Sequence, residues 1–431
     1  MGNLSTPIRV QKLQTALHAK AKAEPGYRFY ALYDKISRDD ILAHAFAQCR
    51  ANKGAPGVDR QDFADVEAYG VQRWLGELAL ALRQETYRPD PIRRVFIPKA
   101  NSTAKSPKLR PLGISTLRDR VCMTAAMLVL DPIFEHEFES RSYGFRPGLG
   151  CKDALREVDR HLKAGYFWVV DADLQSYFDT IPHARLLAKV GGRIADARVV
   201  GLIEQFLKQD IMEDLKRWTP ISGSPQGAVV SPLLANIYLH ELDVEMRQAG
   251  LVMVRYADDA VVLCRTREEA ETALARMRAW VAANGLTLHP DKTHVGDCRV
   301  VGQGFEFLGY RFEAGQRHVR KKSLMALRDK IRLRTKRTAG QSLESMIEAL
   351  NPTLKGWFGY FRHAHRSTFP ALDGFVRRRL RAVLRKQQHR PGWGRCFTDH
   401  KRWPNAFFAD LGLFTMCEAH QSARQSRCGN N

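Results

Sequence analysis

The chain has 431 residues, a formal net charge of +22 and 44% hydrophobic residues, which predicts two or three packed units of a folded protein. No apolar run approaches the ~20 residues of a membrane helix, and Met1–Arg9 lacks the apolar core of a secretory signal. The eight cysteines are scattered without a CxxC pair, which favours a reduced, cytoplasmic chain over disulfides or zinc.

The first quarter of the chain alternates helical patterns with turn signals. Residues 1–50 and Trp74–Arg83 are predicted to be helical, and the Gly and Pro residues of Lys53–Asp59 predict a loop between them. Two strand-like segments follow, Arg93–Lys99 and Lys108–Ile114, with a polar loop between them. They predict a β-hairpin with a basic rim.

The middle of the chain alternates helices with short apolar strands. Asp119–Phe134 and Arg185–Met212 have helical periodicity. Tyr166–Val170 predicts a buried strand that runs directly into Asp171-Ala172-Asp173. A hairpin around Tyr256 is expected further on.

The last third of the chain is strongly basic. From Arg311 to Arg402 there are 24 Lys or Arg residues and six Asp or Glu residues, on predicted helices at 321–338, 342–364 and 371–390. This charge repels itself unless a polyanion neutralises it, so nucleic acid is the favoured partner. A solvated basic surface is the alternative, whereas a membrane is disfavoured because no amphipathic anchor accompanies the charge.

The tetrapeptide Tyr256-Ala257-Asp258-Asp259 lies between two apolar runs, Leu251–Arg255 and Ala260–Cys264. Both runs predict short strands, so we expect the two carboxylates at the tip of a hairpin that is anchored in a sheet. Adjacent carboxylates repel each other unless a cation compensates, and their hard oxygens suit Mg²⁺. Taken alone, an Asp-Asp pair more often belongs to an ordinary turn, and it is the flanking strands and the partners described below that favour a metal site.

A third carboxylate is expected from another strand end. Two-metal phosphoryl transfer needs cations ~3.5–4 Å apart, held by several carboxylates. Asp173 ends its predicted strand, and Phe178 follows five residues later. An aromatic ring there would lie beneath an incoming sugar and clash with a 2′-hydroxyl, which selects deoxynucleotides. The alternatives are a strand-end cap for Asp173 and a core position for Phe178.

Two loops and a second hairpin could complete this site. In Ser224–Pro232, Gly227 permits close backbone approach and Gln226 can bond to a sugar or base edge, although Pro-Gln-Gly by itself usually marks only a loop. Lys292 follows a strand-like stretch, and Phe305–Tyr310 predicts a short hairpin suited to hold a primer end. The cations of the early hairpin could face a triphosphate, or they could protect an edge strand; they are Arg93, Lys99, Lys108 and Arg110.

Taken in chain order, these segments resemble the palm of a reverse transcriptase. They are Asp173 and Phe178, Pro225-Gln226-Gly227, Tyr256-Ala257-Asp258-Asp259, Lys292, and Phe307-Leu308-Gly309. More narrowly, the chain resembles bacterial group II intron reverse transcriptases, also called maturases, of the kind without an endonuclease domain. The narrower resemblance rests on Tyr87-Arg88-Pro89, Arg110–Ile114, Tyr143–Gly148, Ser231–Asn236, and the maturase-like segments Leu350-Asn351-Pro352, Gly356–Phe361 and Val376–Arg381. It covers roughly residues 35–390.

The resemblance implies an α+β right-hand polymerase. Residues 1–60 would be an N-terminal extension, and 61–315 the fingers and a palm with an antiparallel sheet. Residues 316–395 would form an α-helical thumb and maturase domain, followed by a C-terminal tail at 396–431.

The resemblance also implies roles for individual residues. Asp173, Asp258 and Asp259 would be catalytic and, together with Leu174, would bind Mg²⁺, for which Mn²⁺ could substitute. The residues expected to contact a dNTP are Lys99, Arg110, Phe178, Gln226 and Lys292. The template or RNA would contact Arg93, Arg377, Arg378, Arg379 and Arg381, and the primer grip would be Phe307, Leu308 and Gly309.

The expected function is that of an RNA-directed DNA polymerase. It would bind its own group II intron RNA, assist splicing, and copy the RNA into DNA by target-primed reverse transcription. The partners would be the intron RNA, an RNA template, a DNA primer or target, and dNTPs, in the bacterial cytoplasm near the nucleoid and not at a membrane. The alternatives are a domesticated reverse transcriptase in DNA repair or defence, and a maturase that only assists splicing. A nuclease domain is not expected after residue 390, where CxxC pairs are lacking.

Overall fold

A computed structural model describes residues 4–98 and 109–428. The chain divides into two compact units, the first ending at Val295 and the second beginning at Gly296. This division precedes the boundary expected at 315/316. Tyr310, in a strand after Gly296, packs its ring against Tyr360 and Phe361 of a helix in the second unit. In the described part of the chain, no helix is both long and apolar enough to cross a membrane.

The first unit is mixed α and β. Its helices are α1 (Ile8–Ala23), α2 (Tyr33–Ile36), α3 (Asp39–Asn52), α4 (Phe63–Tyr69), α5 (Val71–Arg83), α6 (Leu117–Phe134), α7 (Cys151–Lys163), α8 (Tyr177–Thr180), α9 (His183–Arg193), α10 (Ala197–Leu207), α11 (Ser231–Gln248) and α12 (Arg267–Ala283). Its strands are β1 (Ile92–Pro98), β2 (Leu109–Ile114), β3 (Trp168–Asp173), β4 (Ile211–Glu213), β5 (Lys216–Trp218), β6 (Val252–Tyr256) and β7 (Asp259–Cys264), and β8 (His294–Asp297) spans the junction.

Helix α6 lies at the centre of this unit. It begins at the N-cap Thr116, whose side chain accepts a hydrogen bond from the Asp119 amide. Apolar residues lie on every side of the helix, and most of them are fully buried, as expected of a helix surrounded by others. Helices α1, α2 and α3 pack against it, so the expected N-terminal extension is part of the core of this unit.

The predicted helix at 185–212 is wrong in two respects: the chain forms two helices, α9 and α10, and Ile211 and Met212 belong to strand β4. The break lies at Ile194–Asp196, where the backbone pairs with Phe29 instead of continuing the helix. The Asp196 carboxylate then accepts a hydrogen bond from the Arg198 amide at 3.1 Å and caps α10. A tertiary contact with a residue far away in sequence therefore interrupts a pattern that is locally helical.

Two sheets organise the first unit. The expected hairpin of β1 and β2 is confirmed as antiparallel, with β4 pairing parallel to β1 and β5 at the far edge. The second sheet has the order β6-β7-β3-β8. Strands β6 and β7 are buried along almost their whole length, because both of their faces are covered.

The second unit is mostly helical. Its strands are β9 (Phe305–Phe307), β10 (Tyr310–Glu313) and β11 (Gln316–Val319), and its helices are α13 (Lys321–Arg334), α14 (Leu343–Phe361), α15 (Thr368–Gln387), α16 (Phe397–Arg402), α17 (Asn405–Asp410) and α18 (Met416–Cys428). The three strands form an antiparallel sheet in the order β11-β10-β9. The three predicted basic helices correspond to α13, α14 and α15, and the α+β class is confirmed.

The segment expected to be a C-terminal tail is folded for much of its length. Trp403, Phe408, Leu413 and Met416 are buried. The Asp373 carboxylate of α15 accepts hydrogen bonds from the amides of Met416 and Cys417 at 3.1 and 2.9 Å. Helices α16 to α18 therefore belong to the core of the second unit.

Candidate active site

The sheet brings together the three acids expected to be catalytic. Strands β3 and β7 are antiparallel, with Asp173 directly opposite Asp259. Directly opposed residues in such a pair have Cα atoms only ~4.5–5.5 Å apart and side chains on the same face. Strands β6 and β7 pair Tyr256 with Asp259, which leaves Ala257 and Asp258 as the two-residue turn. The predicted hairpin, with its carboxylates at the tip, is therefore confirmed.

The electrostatics of the turn reflect this crowding of acids. Burial raises the pKa of Asp258 above its ordinary value, and the nearby Asp173 carboxylate raises it further. The positive charges of Arg255 and Lys292 act in the opposite direction. A cation beside Asp258 therefore relieves an unfavourable interaction that the fold imposes.

Lys292 is the cation that the structure shows beside Asp173. Its Nζ donates a hydrogen bond to Asp173 Oδ2 at 2.6 Å, and both side chains are partly exposed. Within residues 4–98 and 109–428, no three Asp, Glu, His or Cys side chains are already arranged as a metal site. The carboxylates supply hard oxygens, the donors that a divalent cation requires, so the residues fit such an ion once Asp173 exchanges Lys292 for it.

Leu174 lies immediately beyond Asp173 and forms an antiparallel bridge with Leu288. The two hydrogen bonds of this bridge use the Gln175 amide and the Asp173 carbonyl, at 2.8 Å each. Neither bond uses the Leu174 carbonyl. The role of Leu174 as a metal ligand stays a prediction.

Backbone strain and a glycine fix the acidic turn. Ala257 has φ 59°, a left-handed conformation that residues with a side chain rarely adopt. A Cβ added to Gly144 would lie 2.9 Å from Ala257 Cα and 2.9 Å from the Tyr256 carbonyl carbon. The Gly144 carbonyl accepts a hydrogen bond from Asn236 Nδ2 at 2.8 Å. The motif at Tyr143–Gly148 thus supports the turn, a role that its sequence did not reveal.

Phe178 and Gln226 belong to the lining of the same cavity. Both line a cavity of about 210 Å³ together with Asp179 and Pro225. Gln226 Nε2 donates to the two carboxylate oxygens of Asp179 at 3.3 and 3.2 Å. The structure therefore brings together two residues that are separated by a helix pair in the sequence and were predicted to contact the same nucleotide.

The Pro-Gln-Gly loop is docked on strand β2. The Gly113 amide donates to the Gln226 carbonyl at 2.7 Å. Gly227 has φ 107°, and a Cβ there would come within 2.6 Å of the Gly113 carbonyl oxygen. A glycine is required on both counts. Two motifs of the family resemblance, Arg110–Ile114 and the loop, are therefore one structural unit.

The predicted cations of the early hairpin differ in their surroundings. Arg110 is exposed on β2. Arg93 is half-buried, and its Nη2 donates to the Pro56 carbonyl at 2.7 Å, so part of its donor set is used within the protein. Lys99 and Lys108 lie outside the described residues.

The predicted primer grip lies at the end of β9 and in the turn that follows it. Phe307 is almost completely buried, at 1% exposure, and its ring is not accessible to a primer. Leu308 and Gly309 form the turn between β9 and β10 with φ 47° and 84°. The Leu308 carbonyl accepts a hydrogen bond from Tyr360 Oη at 2.8 Å, so α14 holds this turn.

Two of the four α15 arginines predicted to contact RNA have structural partners. Arg381 is buried at 2% exposure, and it donates to the Trp403 carbonyl at 2.9 Å and to Asn405 Oδ1 at 3.0 Å. Its prediction as a phosphate contact is wrong, because its guanidinium anchors the segment that leads into α17. Arg379 is half-buried and binds the hydroxyl and carbonyl of Thr335, at 3.0 and 2.5 Å. Two of its five N–H donors are therefore used at the C-terminus of α13.

Arg377 and Arg378 are both half-buried. Arg378 lies over the Phe375 ring, 5.2 Å from its centroid, together with Arg328 and Arg332 at 5.8 and 5.5 Å. Burial lowers the pKa of Arg378, and repulsion from Arg395, Arg332 and Arg328 lowers it further. Arg332 is also paired with Asp329 at 2.5 Å. We call Arg328, Arg332 and Arg378 the arginine cluster.

Residues 97–312 match the model of the reverse transcriptase (RNA-dependent DNA polymerase) family, and residues 324–403 match the maturase-specific domain of group II introns. The chain therefore belongs to the reverse transcriptase family. More particularly, it is a member that carries the group II intron maturase domain, as the sequence resemblance implied. Members of this family use divalent metal ions.

Similar proteins include YkfC of Escherichia coli, 33% identical over 70% of this chain and 88% of that protein. The group II intron-encoded protein LtrA of Lactococcus lactis is 38% identical over 54% of this chain, and the match spans only 38% of LtrA. Among solved structures, a chain of the partial Cas6-RT-Cas1--Cas2 complex has a TM-score of 0.36 at 24% identity, covering 58% of this chain and 42% of that one. That likeness is too low to carry an argument.

Proposed function

We propose that this chain copies RNA into DNA at Asp173, Asp258 and Asp259, and that it binds a group II intron RNA whose splicing it assists. The pairing of Asp173 with Asp259, beside the turn that carries Asp258, is the observation that supports the polymerase site. The matched maturase domain supports the intron RNA as partner. Copying would follow target-primed reverse transcription, with a DNA end as primer and dNTPs as substrates.

Magnesium is the proposed cofactor, with Mn²⁺ as a substitute. The three carboxylates and the Leu174 carbonyl would hold it, because Mg²⁺ prefers oxygen ligands and this set supplies only oxygens. When bound, the ions lower the pKa of the attacking 3′-hydroxyl and neutralise the leaving pyrophosphate. The protein's own contribution is to keep the Asp173 and Asp259 carboxylates on one face of the sheet, with Asp258 in the adjoining turn and the Lys292 ammonium hydrogen-bonded to Asp173.

The substrate would be selected by side chains around the cavity of about 210 Å³. Phe178 would exclude a 2′-hydroxyl, and Gln226 would contact the new base pair while Asp179 orients its amide. Lys99, Arg110 and Lys292 would bind the triphosphate, and Arg93 the template strand. Leu308 and Gly309 would contact the primer through the backbone of their turn.

The arginine cluster is the proposed phosphate-binding surface of the second unit, with Arg377 beside it. Three guanidinium groups around one ring repel each other, and a bound polyanion removes that repulsion. Guanidinium groups also bind phosphate oxygens in a bidentate manner. Because its partners are intron RNA and chromosomal DNA, the protein would work in the bacterial cytoplasm near the nucleoid.

In domain terms, we propose an N-terminal extension at 1–60, fingers and palm at 61–315, and a thumb and maturase domain at 316–395. The helical segment after residue 395 would support the maturase domain, because it is packed against α15.

A primer-extension assay on poly(rA)/oligo(dT) tests the polymerase. We expect Mg²⁺-dependent DNA synthesis that Asp258→Ala abolishes, while RNA binding remains. Synthesis by Asp258→Ala would place the metal site elsewhere, and no synthesis by the unaltered chain would refute the polymerase. A splicing assay with the intron RNA from the flanking DNA separates a maturase from a domesticated polymerase, which would show synthesis without any effect on splicing.

A further inference from the structure

Arg255 is a charged residue inside an otherwise apolar strand, one residue before Tyr256-Ala257-Asp258-Asp259. It is 1% exposed and ranks among the largest fully buried side chains of the described chain. A buried guanidinium is costly unless every donor is satisfied. The hydrogen bonds of Arg255 therefore indicate which parts of the structure this residue holds together.

All five N–H donors of this guanidinium have acceptors. Nε donates to Asp243 Oδ1 at 2.8 Å, and Nη2 donates to the other Asp243 oxygen. Nη2 also donates to Ser142 Oγ at 2.8 Å. Nη1 donates to Asn236 Oδ1 at 3.0 Å and to the Ala257 carbonyl at 2.8 Å. The last bond reaches the strained turn itself, immediately before Asp258.

The acceptors belong to three separate segments. Asn236 and Asp243 lie on α11, Ser142 lies in the loop before Gly144, and Ala257 lies in the turn. The backbone of Arg255 reinforces these ties, because its carbonyl accepts from the Tyr143 amide at 2.9 Å. Arg255 thus connects the turn to both structures that surround it.

Helix α11 also contacts the two segments that carry Phe178 and Gln226, the residues proposed to select the substrate. The Ala235 carbonyl accepts a hydrogen bond from Tyr177 Oη at 2.7 Å, and Tyr177 directly precedes Phe178. Ser231 Oγ donates to the Pro225 carbonyl at 2.9 Å, next to Gln226. One helix therefore contacts the Phe178 segment, the Pro-Gln-Gly loop and, through Arg255, the acidic turn.

We infer that Arg255 is a positioning residue for DNA synthesis, which fixes the Asp258 turn against α11 and hence against the substrate-selecting residues. The inference rests on the proposed polymerase function. Its chemistry requires arginine, because a planar fork with five donors can bind Asp243, Asn236, Ser142 and Ala257 together. Lysine keeps the charge but has three donors on a single nitrogen, so Arg255→Lys loses the connection while retaining the buried cation.

The test compares Arg255→Lys with Arg247→Lys, the same change on the exposed Arg247 of α11, which pairs with Glu139. In primer extension, we expect Arg255→Lys to lower kcat at least tenfold and to raise the Mg²⁺ concentration for half-maximal rate several-fold. The KM for dNTP and the affinity for RNA should change less than twofold. Arg247→Lys should match the unaltered chain in every measurement.

Hydrogen exchange provides a readout without metal or substrate. In Arg255→Lys, amide exchange should become faster in the peptide that covers 252–264 and stay unchanged in α6. A general loss of stability would instead accelerate exchange in both regions. A folded Arg255→Lys variant with unaltered kcat, Mg²⁺ dependence and exchange would overturn the inference.

If Arg255→Lys does not fold, Asn236→Ala takes its place. This change removes the link between Arg255 and the Gly144 carbonyl but keeps the pair of Arg255 with Asp243. The same lower kcat and faster exchange at 252–264 are expected, and their absence overturns the inference. An inactive unaltered chain would refute the polymerase proposal itself, whereas an active chain with normal variants refutes only the role of Arg255.

Discussion

Replacing Gly144 with Ala should displace the turn that carries Asp258. The added Cβ would lie 2.9 Å from both Ala257 Cα and the Tyr256 carbonyl carbon. Carbon atoms in ordinary contact are about 3.5–4.0 Å apart. The Ala257 amide nitrogen is closer still. Since the obstructing atoms belong to the backbone, no side chain can rotate away, and the turn must move by about 1 Å.

The expected effect follows from the sensitivity of catalysis to geometry. A misplacement of about 1 Å at a reacting group costs on the order of 100-fold in rate. This ratio corresponds to about 2.7 kcal/mol of activation free energy. The effect should appear in kcat, because the displaced residue Asp258 carries one of the proposed catalytic carboxylates and the arginine cluster is not altered.

Single-nucleotide extension with Gly144→Ala measures this effect, with RNA affinity and thermal unfolding measured in parallel. Gly150→Ala in the same loop is the matched control, since its nearest neighbour would be Asp153 Oδ2 at 3.9 Å, an ordinary contact. An unaltered kcat in Gly144→Ala would refute the reasoning. So would an equal loss of kcat in the control, because the effect would then come from the loop and not from the contact with the turn.

Four further predictions concern nucleotide selection by Phe178, the roles of Arg381 and Arg378, and the stabilising effect of Glu157. Phe178→Ala should reduce the preference for dNTP over rNTP, measured as a ratio of kcat/KM, by about tenfold, or ~1.4 kcal/mol. Arg381→Ala should lower the free energy of unfolding by about 2–3 kcal/mol, since it leaves buried acceptors unpaired. Arg378→Ala should instead weaken RNA binding and reduce the slope of log affinity against log salt concentration by about 1. Glu157→Gln should lower the free energy of unfolding by about 1–2 kcal/mol at pH 7.

The Glu157 prediction has a defined pH dependence. Burial raises the pKa of this carboxyl, but hydrogen bonds from Arg160, Arg141 and His161 outweigh burial and lower it to about 2. The ordinary value in an unfolded chain is about 4.3. The stabilisation is therefore complete above pH ~4.3 and is lost as the pH falls toward 2, so the variant and the unaltered chain should converge in acid.

Each of these predictions can fail separately. Unchanged nucleotide preference in Phe178→Ala would exclude Phe178 as the residue that rejects a 2′-hydroxyl. Equal RNA affinity in Arg378→Ala and the unaltered chain would exclude the arginine cluster as the binding surface. A stability difference for Glu157→Gln that stays constant from pH 7 to pH 3 would show that charge is not its cause.

The strands and acids of the active site could be predicted from the sequence because their signals are local. Apolar runs on both sides of Asp258 and Asp259 specify a hairpin, and the apolar run before Asp173 specifies the strand that pairs with it. Gly144 had no such signal. Its role depends on how closely two backbones approach, and a sequence does not specify that distance.

The break between α9 and α10 shows where local patterns stop being sufficient. Residues 185–212 have helical periodicity, yet the chain leaves the helix at Ile194–Asp196 to pair with Phe29. The energy of that pairing comes from a segment more than 160 residues away. Helix propensity is a small preference per residue, and a tertiary contact of this kind overrides it.

By itself, the sequence determined the groups available for chemistry: two carboxylates on strand ends and a third in the turn beside them, an aromatic residue and a glutamine proposed to contact a nucleotide, and a basic C-terminal third. Only the tertiary structure decided which basic residues are accessible to a nucleic acid. Arg378 and Arg381 lie on the same helix and are equivalent in a list of charges, but Trp403 and Asn405 cover one and leave the other partly exposed. Burial is set by the segment that packs over a helix face, and the helix sequence does not record which segment that is.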